Sequence, residues 1–228
     1  MSHPQTSLLH LLQLVSPALP VGAYSYSEGL ETLVQTDRVI DLSTLKAWLT
    51  QELRYGAIRL EAAVLLRIYD AAQANQLDRL AVWNQWLSAF RETEEMREQS
   101  WQMGRSLGRL LQELEPRESV KQGLMACGEP CNFAAAFALA AVDGKIDREI
   151  AVLGYLYSWV ANLINAGVRL IPLGQTQGQQ GLLHLYPQLE QTTQAVLSLT
   201  DDRLWSCGWG MSIASMNHET LYSRLFRS

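Results

Sequence analysis

The stretch Cys131–Val142, CNFAAAFALAAV, carries no charge and is dominated by alanine. Alanine is the strongest helix former, and a helix that is apolar on every side belongs in a core. The next segment, Arg148–Ile171, reads as a long helix with Asp147 as its N-cap and a stop at Pro172 and Gly174. Together these two segments are expected to form the centre of an all-α bundle, with the rest of the chain packed around them.

On the N-terminal side, apolar residues recur at Leu45, Leu49, Leu53, Ala57, Leu60, Val64 and Ile68, close to one every 3.6 residues, with Gly56 as a bend. Asp41 is expected to cap that pattern, and Asp78 to cap a following helix through Leu80, Trp83 and Leu87. Arg91–Leu114 forms a charged helix that stops at Pro116. In it Arg91–Glu95 and Glu94–Arg97 have the spacing of helical pairs, and Gly104 and Gly108 share one face. On the C-terminal side, Gln175–Tyr186 and Gln188–Leu199 read as two helices separated by Pro187. No run alternates with the period of a strand. The expectation is one globular helical domain of roughly ten helices over residues 1–207, followed by a distinct tail, 208–228.

Leu11–Glu31, LLQLVSPALPVGAYSYSEGLE, interrupts the helical pattern. Pro17 and Pro20 fix φ, and Gly22 admits positive φ, so a defined bend is expected. Ser25 and Glu28 have the S-x-x-E spacing of a capping box opening a helix at Tyr26. The bend reads either as a corner that only packs or as part of a site.

With 228 residues, 48% hydrophobic and 18% charged, the chain is globular in composition. A net charge of −5 without a basic run argues against nucleic acid as a partner. Three cysteines, Cys127, Cys131 and Cys207, do not make a disulfide framework. The first residues lack the positive n-region of a signal peptide, which points to the cytoplasm. Ile150–Val168 is uncharged and long enough to span a bilayer. Its Ser158, Asn162 and Asn165 favour a buried soluble helix, so no membrane partner is expected.

The search for chemistry returns no catalytic, metal or cofactor constellation. GQTQGQQG at Gly174–Gly181 lacks the P-loop lysine, and His218-Glu219-Thr220-Leu221-Tyr222 has tyrosine where a zinc helix needs histidine. Gly210-Met211-Ser212-Ile213-Ala214 lacks both the last glycine of a nucleophile elbow and the strand before it. Cys127 and Cys131, four apart, match no closed zinc pattern. They read as small buried side chains rather than ligands. His3, His10, His184 and His218 are scattered. The tail Ser215–Ser228 combines methionine, aromatics and arginines, the residue types enriched at interface hot spots. It reads either as a docked terminal segment or as a partner surface, and as a helix it would align Leu221, Tyr222, Leu225 and Phe226 on one stripe.

Four blocks carry a family resemblance: SPALPVGAYSYSEGLE at Ser16–Glu31, RETEEMREQSWQMGRSL at Arg91–Leu107, IPLGQ at Ile171–Gln175, and IASMNHETLYSRLFRS at Ile213–Ser228. Together, and in this order, they resemble the urease accessory protein F family. The resemblance implies an all-α homodimer that is not an enzyme. It implies a co-chaperone that binds the D/H-type accessory protein and recruits the G-type GTPase, so that nickel is inserted into apo-urease in a GTP-dependent way. It implies partner binding by Ser215, Met216, His218, Glu219, Tyr222, Ser223, Arg224, Leu225, Phe226 and Arg227. It also implies a shaping role for Ser16, Pro17, Pro20, Gly22, Ser25, Tyr26, Gly29 and Glu31. The chain departs from the family pattern at Ala23 and Tyr24, at Glu28 where glutamine is frequent, and at Leu221 where glutamine is frequent. The rival reading is a metal- or serine-dependent hydrolase using His218 with a nearby cysteine or serine.

Overall fold

The computed structural model describes residues 4–227, so His3 and Ser228 lie outside the described residues. Twelve α-helices and two short 3-10 turns make up the regular structure of that span, and no strand occurs among the described residues. The helices are α1 Pro4–Leu14, α2 Leu30–Gln35, α3 Leu42–Tyr55, α4 Ala57–Gln73, α5 Leu77–Phe90, α6 Glu94–Glu113, α7 Glu118–Cys127, α8 Phe133–Asp143, α9 Arg148–Leu170, α10 Gln175–His184, α11 Tyr186–Leu197 and α12 Trp209–His218. The fold is all-α.

The alanine-rich stretch is a core helix: every residue from Ala134 to Val142 is buried. Its main neighbours are α4 and α6, with α9 a lesser one, so the expected α8–α9 centre shifts toward α4. The reason is burial: α4 hides Ile58, Leu60, the run Glu61–Leu66, Ile68, Tyr69 and Ala71, which leaves almost no solvent face. The small side chains of α8 let α4 and α6 approach on both sides. Gly104 of α6 lies so close to the Cys131 and Asn132 backbone that a Cβ would collide with it. Gly108 meets only Leu124, at an ordinary 3.7 Å, so the second glycine does not serve a close approach.

Several local expectations shift by a turn. The amphipathic pattern from residue 45 to 68 is two helices, because Gly56 is extended (φ −79°, ψ 177°) and ends α3. Asp41 and Thr44 form a full capping box on α3, and Asp147 caps α9 through the Glu149 and Ile150 amides. Asp78 does not cap α5; it sits inside the first turn, and Gln76 holds the cap position. Pro187 lies within the start of α11, so the break falls at Leu185. The helical pairs expected near residue 91 do not form. Arg91 stands past the end of α5 and pairs with Glu61 of α4 at 2.7 Å, while Arg97 lies over the Trp101 ring. Among the described residues one helix, Arg148–Leu170, is long and apolar enough to cross a membrane, and 61% of its most apolar window is buried inside the bundle.

Candidate functional site

The N-terminal bend and the C-terminal tail form one unit. The bend contains a 3-10 turn at Ala23–Ser25, entered through left-handed Gly22. The expected capping box is absent: the Ser25 hydroxyl donates to the Gly22 carbonyl at 2.7 Å, and α2 starts at Leu30 behind Gly29. Gly29 has φ 81°, and a Cβ there would lie 2.9 Å from the Ser215 amide nitrogen and 3.0 Å from the Ala214 Cβ. Both the backbone conformation and the proximity of α12 therefore require glycine.

With α2 begun at residue 30, Glu31 points into the tail. Its Oε1 accepts the Leu225 amide at 2.7 Å, and its Oε2 accepts the Phe226 amide at 3.0 Å and faces His218 Nε2 at 3.2 Å. The other face of the same imidazole meets Glu95 of α6, with Nδ1 3.1 Å from Oε2. Glu95 also accepts from Arg224 at 3.0 Å. His218 is fully buried between two carboxylates. Removing one partner from such a buried arrangement costs about 3–5 kcal/mol in comparable cases.

Further bonds extend this clasp. Ser215 and Thr93, the N-cap of α6, share a hydrogen bond of 2.9 Å, and the Ser212 hydroxyl donates to Glu92. The Arg227 amide donates to the Ser25 carbonyl at 2.9 Å. Phe226 is buried, and the Arg169 guanidinium lies 4.6 Å over its ring while donating to the Tyr24 carbonyl. Three of the four sequence blocks, the tail among them, thus meet here. The fourth, Ile171–Gln175, joins α9 to α10 and buries Ile171 in the core.

The residues that the resemblance singles out divide by direction. Ser215, His218 and Phe226 face inward, whereas Met216, Glu219, Tyr222, Ser223, Arg224, Leu225 and Arg227 stay exposed. Tyr222 is fully exposed, and the segment after His218 consists of turns, so the tail continues as loop rather than as a helical stripe. Tyr26, Gly29 and Glu31 are buried, Ser16, Gly22 and Ser25 are half-buried, and Pro17 and Pro20 are exposed on the bend. Trp209 and Ile213 join Met216 on the outer stripe of α12, at helical spacing 0, 4 and 7. Sequence reading named neither Thr93 and Glu95 as partners of the tail nor Trp209 and Ile213 among its outward-facing residues. The spacing of the last two became readable only once the start of α12 was known.

Beneath the bend lies a cavity of about 180 Å³. Its polar floor holds the Arg91–Glu61 pair, with Tyr155 donating to Glu61 at 2.9 Å. Glu28, at a position where glutamine is frequent in the resemblance, accepts from Gln99 at 2.7 Å and from Trp159 at 2.8 Å. Burial first, and the nearby Glu61 charge second, push the Glu28 carboxyl above its ordinary range. Glu52, under the start of α12, is pushed up to about 8 by burial and by Glu28 and Glu92, and its Oε2 has no hydrogen-bond partner. Among the described residues no group of three or more His, Cys, Asp or Glu could hold a metal ion. Both nitrogens of His218 face carboxylates, so neither is directed at a serine or cysteine as the hydrolase reading requires.

Comparison with known proteins gives this geometry its context. The family model described as UreF matches residues 39–186. A "Urease accessory protein UreF" of Nostoc sp. is 56% identical over 220 residues, covering 96% of this chain and 95% of the relative. The protein of the same name from Synechocystis sp. is 51% identical, with 96% and 97% covered, and that from Janthinobacterium sp. is 40% identical, with 97% and 98% covered. The family model spans α6 and the core helices α4, α8 and α9, the relatives cover nearly the whole chain, and by these matches this chain belongs to the UreF family of urease accessory proteins.

Proposed function

We propose that this chain is a non-catalytic co-chaperone of urease nickel-centre assembly. It docks the D/H-type accessory protein on the outer face of its tail and, with it, recruits the G-type GTPase to apo-urease. In this reading the chain works as a cytoplasmic homodimer. The observation that carries it is the division of the tail into two faces. Ser215, His218 and Phe226 are held inside, while Trp209, Ile213, Met216, Tyr222 and Leu225 are offered to solvent on a braced segment. A clasped segment loses little further conformational freedom on binding, so its exposed aromatics act as preorganised anchors. Arg224 and Arg227 beside them supply guanidinium groups for carboxylates of the partner.

The test is co-expression of the D/H-type protein with the full chain, and with a chain carrying Met216→Ala, Tyr222→Ala and Leu225→Ala together. Retention of the partner by the parent and its loss by the triple variant, with unchanged circular dichroism, supports the reading. Equal retention by both places the docking surface elsewhere.

A further inference from the structure

The cavity beneath the bend changes in chemistry from floor to mouth. At its floor Glu28, Glu61, Gln99 and Tyr155 are buried, and the Arg91 side chain is only 8% exposed. Its walls are apolar, with Leu14, Val21, Met103 of α6 and Ala166 of α9 beside the rings of Phe133 and Trp159. Pro17, Tyr24, Asn165 and Arg169 border it and are exposed, so it opens to solvent between the bend and the last turns of α9. Most of the floor is satisfied within the chain. Glu61 pairs with Arg91 and accepts from Tyr155, and Glu28 accepts from Gln99 and Trp159. One donor is left over: Arg91 Nε is buried and has no acceptor among the described residues. A buried donor without an acceptor bears the full cost of its desolvation. An apolar cavity with such a group at its end is built like a ligand pocket, in which a few polar groups fix orientation.

We propose that this cavity is a binding site for a small uncharged molecule with a ring-sized apolar body and one oxygen acceptor, a phenol or an aromatic amide in chemical type, whose oxygen takes the Arg91 Nε–H. The size follows from the volume. At about 180 Å³ the cavity is close to apolar cavities of about 150 Å³ that take in benzene, so one substituted ring fits. The oxygen follows from the leftover donor, since a molecule that places an acceptor there recovers a hydrogen bond that the chain itself does not make. The absence of charge follows from the floor. Two carboxyls, Glu28 and Glu61, stand there against one guanidinium, so a carboxylate carried to Arg91 would meet like charge. An ammonium ion would meet a donor where it needs an acceptor. The apolar body follows from the walls, where aliphatic side chains and the two rings supply contact without competing hydrogen bonds. The site is separate from the outer face of the tail and does not depend on the partner proposed for it.

The experiment titrates the full chain with phenol by isothermal calorimetry and follows the Trp159 indole N–H by heteronuclear NMR. The expected result is saturable one-to-one binding with a Kd of about 1 mM or tighter, with the Trp159 signal among those that move. Toluene, which has the same size and no oxygen, should bind roughly 10-fold more weakly, and benzoate should also be weaker than phenol. Ala161→Leu and Ala166→Leu each fill part of the cavity from α9 and should weaken phenol by roughly 10-fold or more, with circular dichroism unchanged. The proposal is overturned if phenol shows no saturable binding, which leaves the cavity to water alone, or if toluene binds as tightly as phenol. It is equally overturned if the folded variants bind phenol as the parent does. Benzoate binding as tightly as phenol would also overturn it, and would make Arg169 at the mouth the recognising group. If one variant does not fold, the other decides. If neither folds, the Trp159 signal and the toluene and benzoate comparisons in the parent chain decide.

Discussion

α8 and α12 are helices of nearly equal length, 11 and 10 residues, and both turn a buried face to the bundle, yet different forces hold them. α8 is enclosed mainly by apolar side chains along Ala134–Val142, all of them buried. Its stabilisation is non-directional and spread over many side chains. α12 buries Ser212, Ser215 and His218 beside Met211 and Ala214, and its position depends on four partners: Glu31, Glu92, Thr93 and Glu95. Its stabilisation is directional and concentrated, since a buried polar group without its partner is costly. Damage to the first region should spread through the whole domain. Damage to the second should stay local, because an unclasped tail can leave its seat and hydrate its polar groups.

Phe137→Ala tests the first half of that contrast with the largest expected effect. Phe137 is fully buried against Phe133 and Tyr155, so truncation should cost about 3–5 kcal/mol. Urea unfolding followed by circular dichroism should show one cooperative transition at a lower midpoint. Two transitions would mean that the core is less unified than its packing implies.

The base of the tail should respond to pH through Glu52. Its folded value of about 8 lies above that of the unfolded chain, so the folded state binds the extra proton between the ordinary carboxylate range and about pH 8. Stability is therefore fully present below that window, falls as pH rises through it and levels off above it. The cumulative loss is on the order of 5 kcal/mol, and Glu52→Gln should flatten the profile. Denaturation at pH 5, 7 and 9 measures it, and an unchanged slope in the variant would assign the dependence to another group.

Glu31→Ala should open the clasp at a cost on the order of 3 kcal/mol, confined to the tail. Hydrogen exchange at the Leu225 and Phe226 amides should accelerate by roughly 100-fold while α8 amides keep their protection. Equal acceleration in α8 would show the two regions to be one cooperative unit. The smallest effect on folding belongs to Tyr222→Ala, whose side chain is fully exposed: about 0.5 kcal/mol or less, while under the proposed function retention of the D/H-type protein should fall.

Legibility followed the same division. The alanine-rich run and the long Arg148–Leu170 helix were readable because apolar composition and helical period report burial directly. Asp41 and Asp147 were readable as caps because capping is local. Ser25 and Glu28 had the right spacing for a cap and did not form one. Glu28 takes a positive φ, and its carboxyl is drawn toward Gln99 and Trp159, residues 71 and 131 positions away. Arg91 likewise forsakes its helical neighbour for Glu61, because it stands past the end of α5 and faces α4.

By itself, then, the sequence determined an all-α chain, its core helices, its family blocks and the absence of strand patterning, since each depends on residues close together along the chain. Tertiary structure alone decided that the N-terminal bend receives the tail, with Glu31 closing onto Leu225 and Phe226 across 194 and 195 positions. It also decided which tail residues face inward. The physical reason is that hydrophobic period records only how deeply a residue is buried, whereas a buried polar group is specified by its partner, and the partner's place is set by the folding of everything between them.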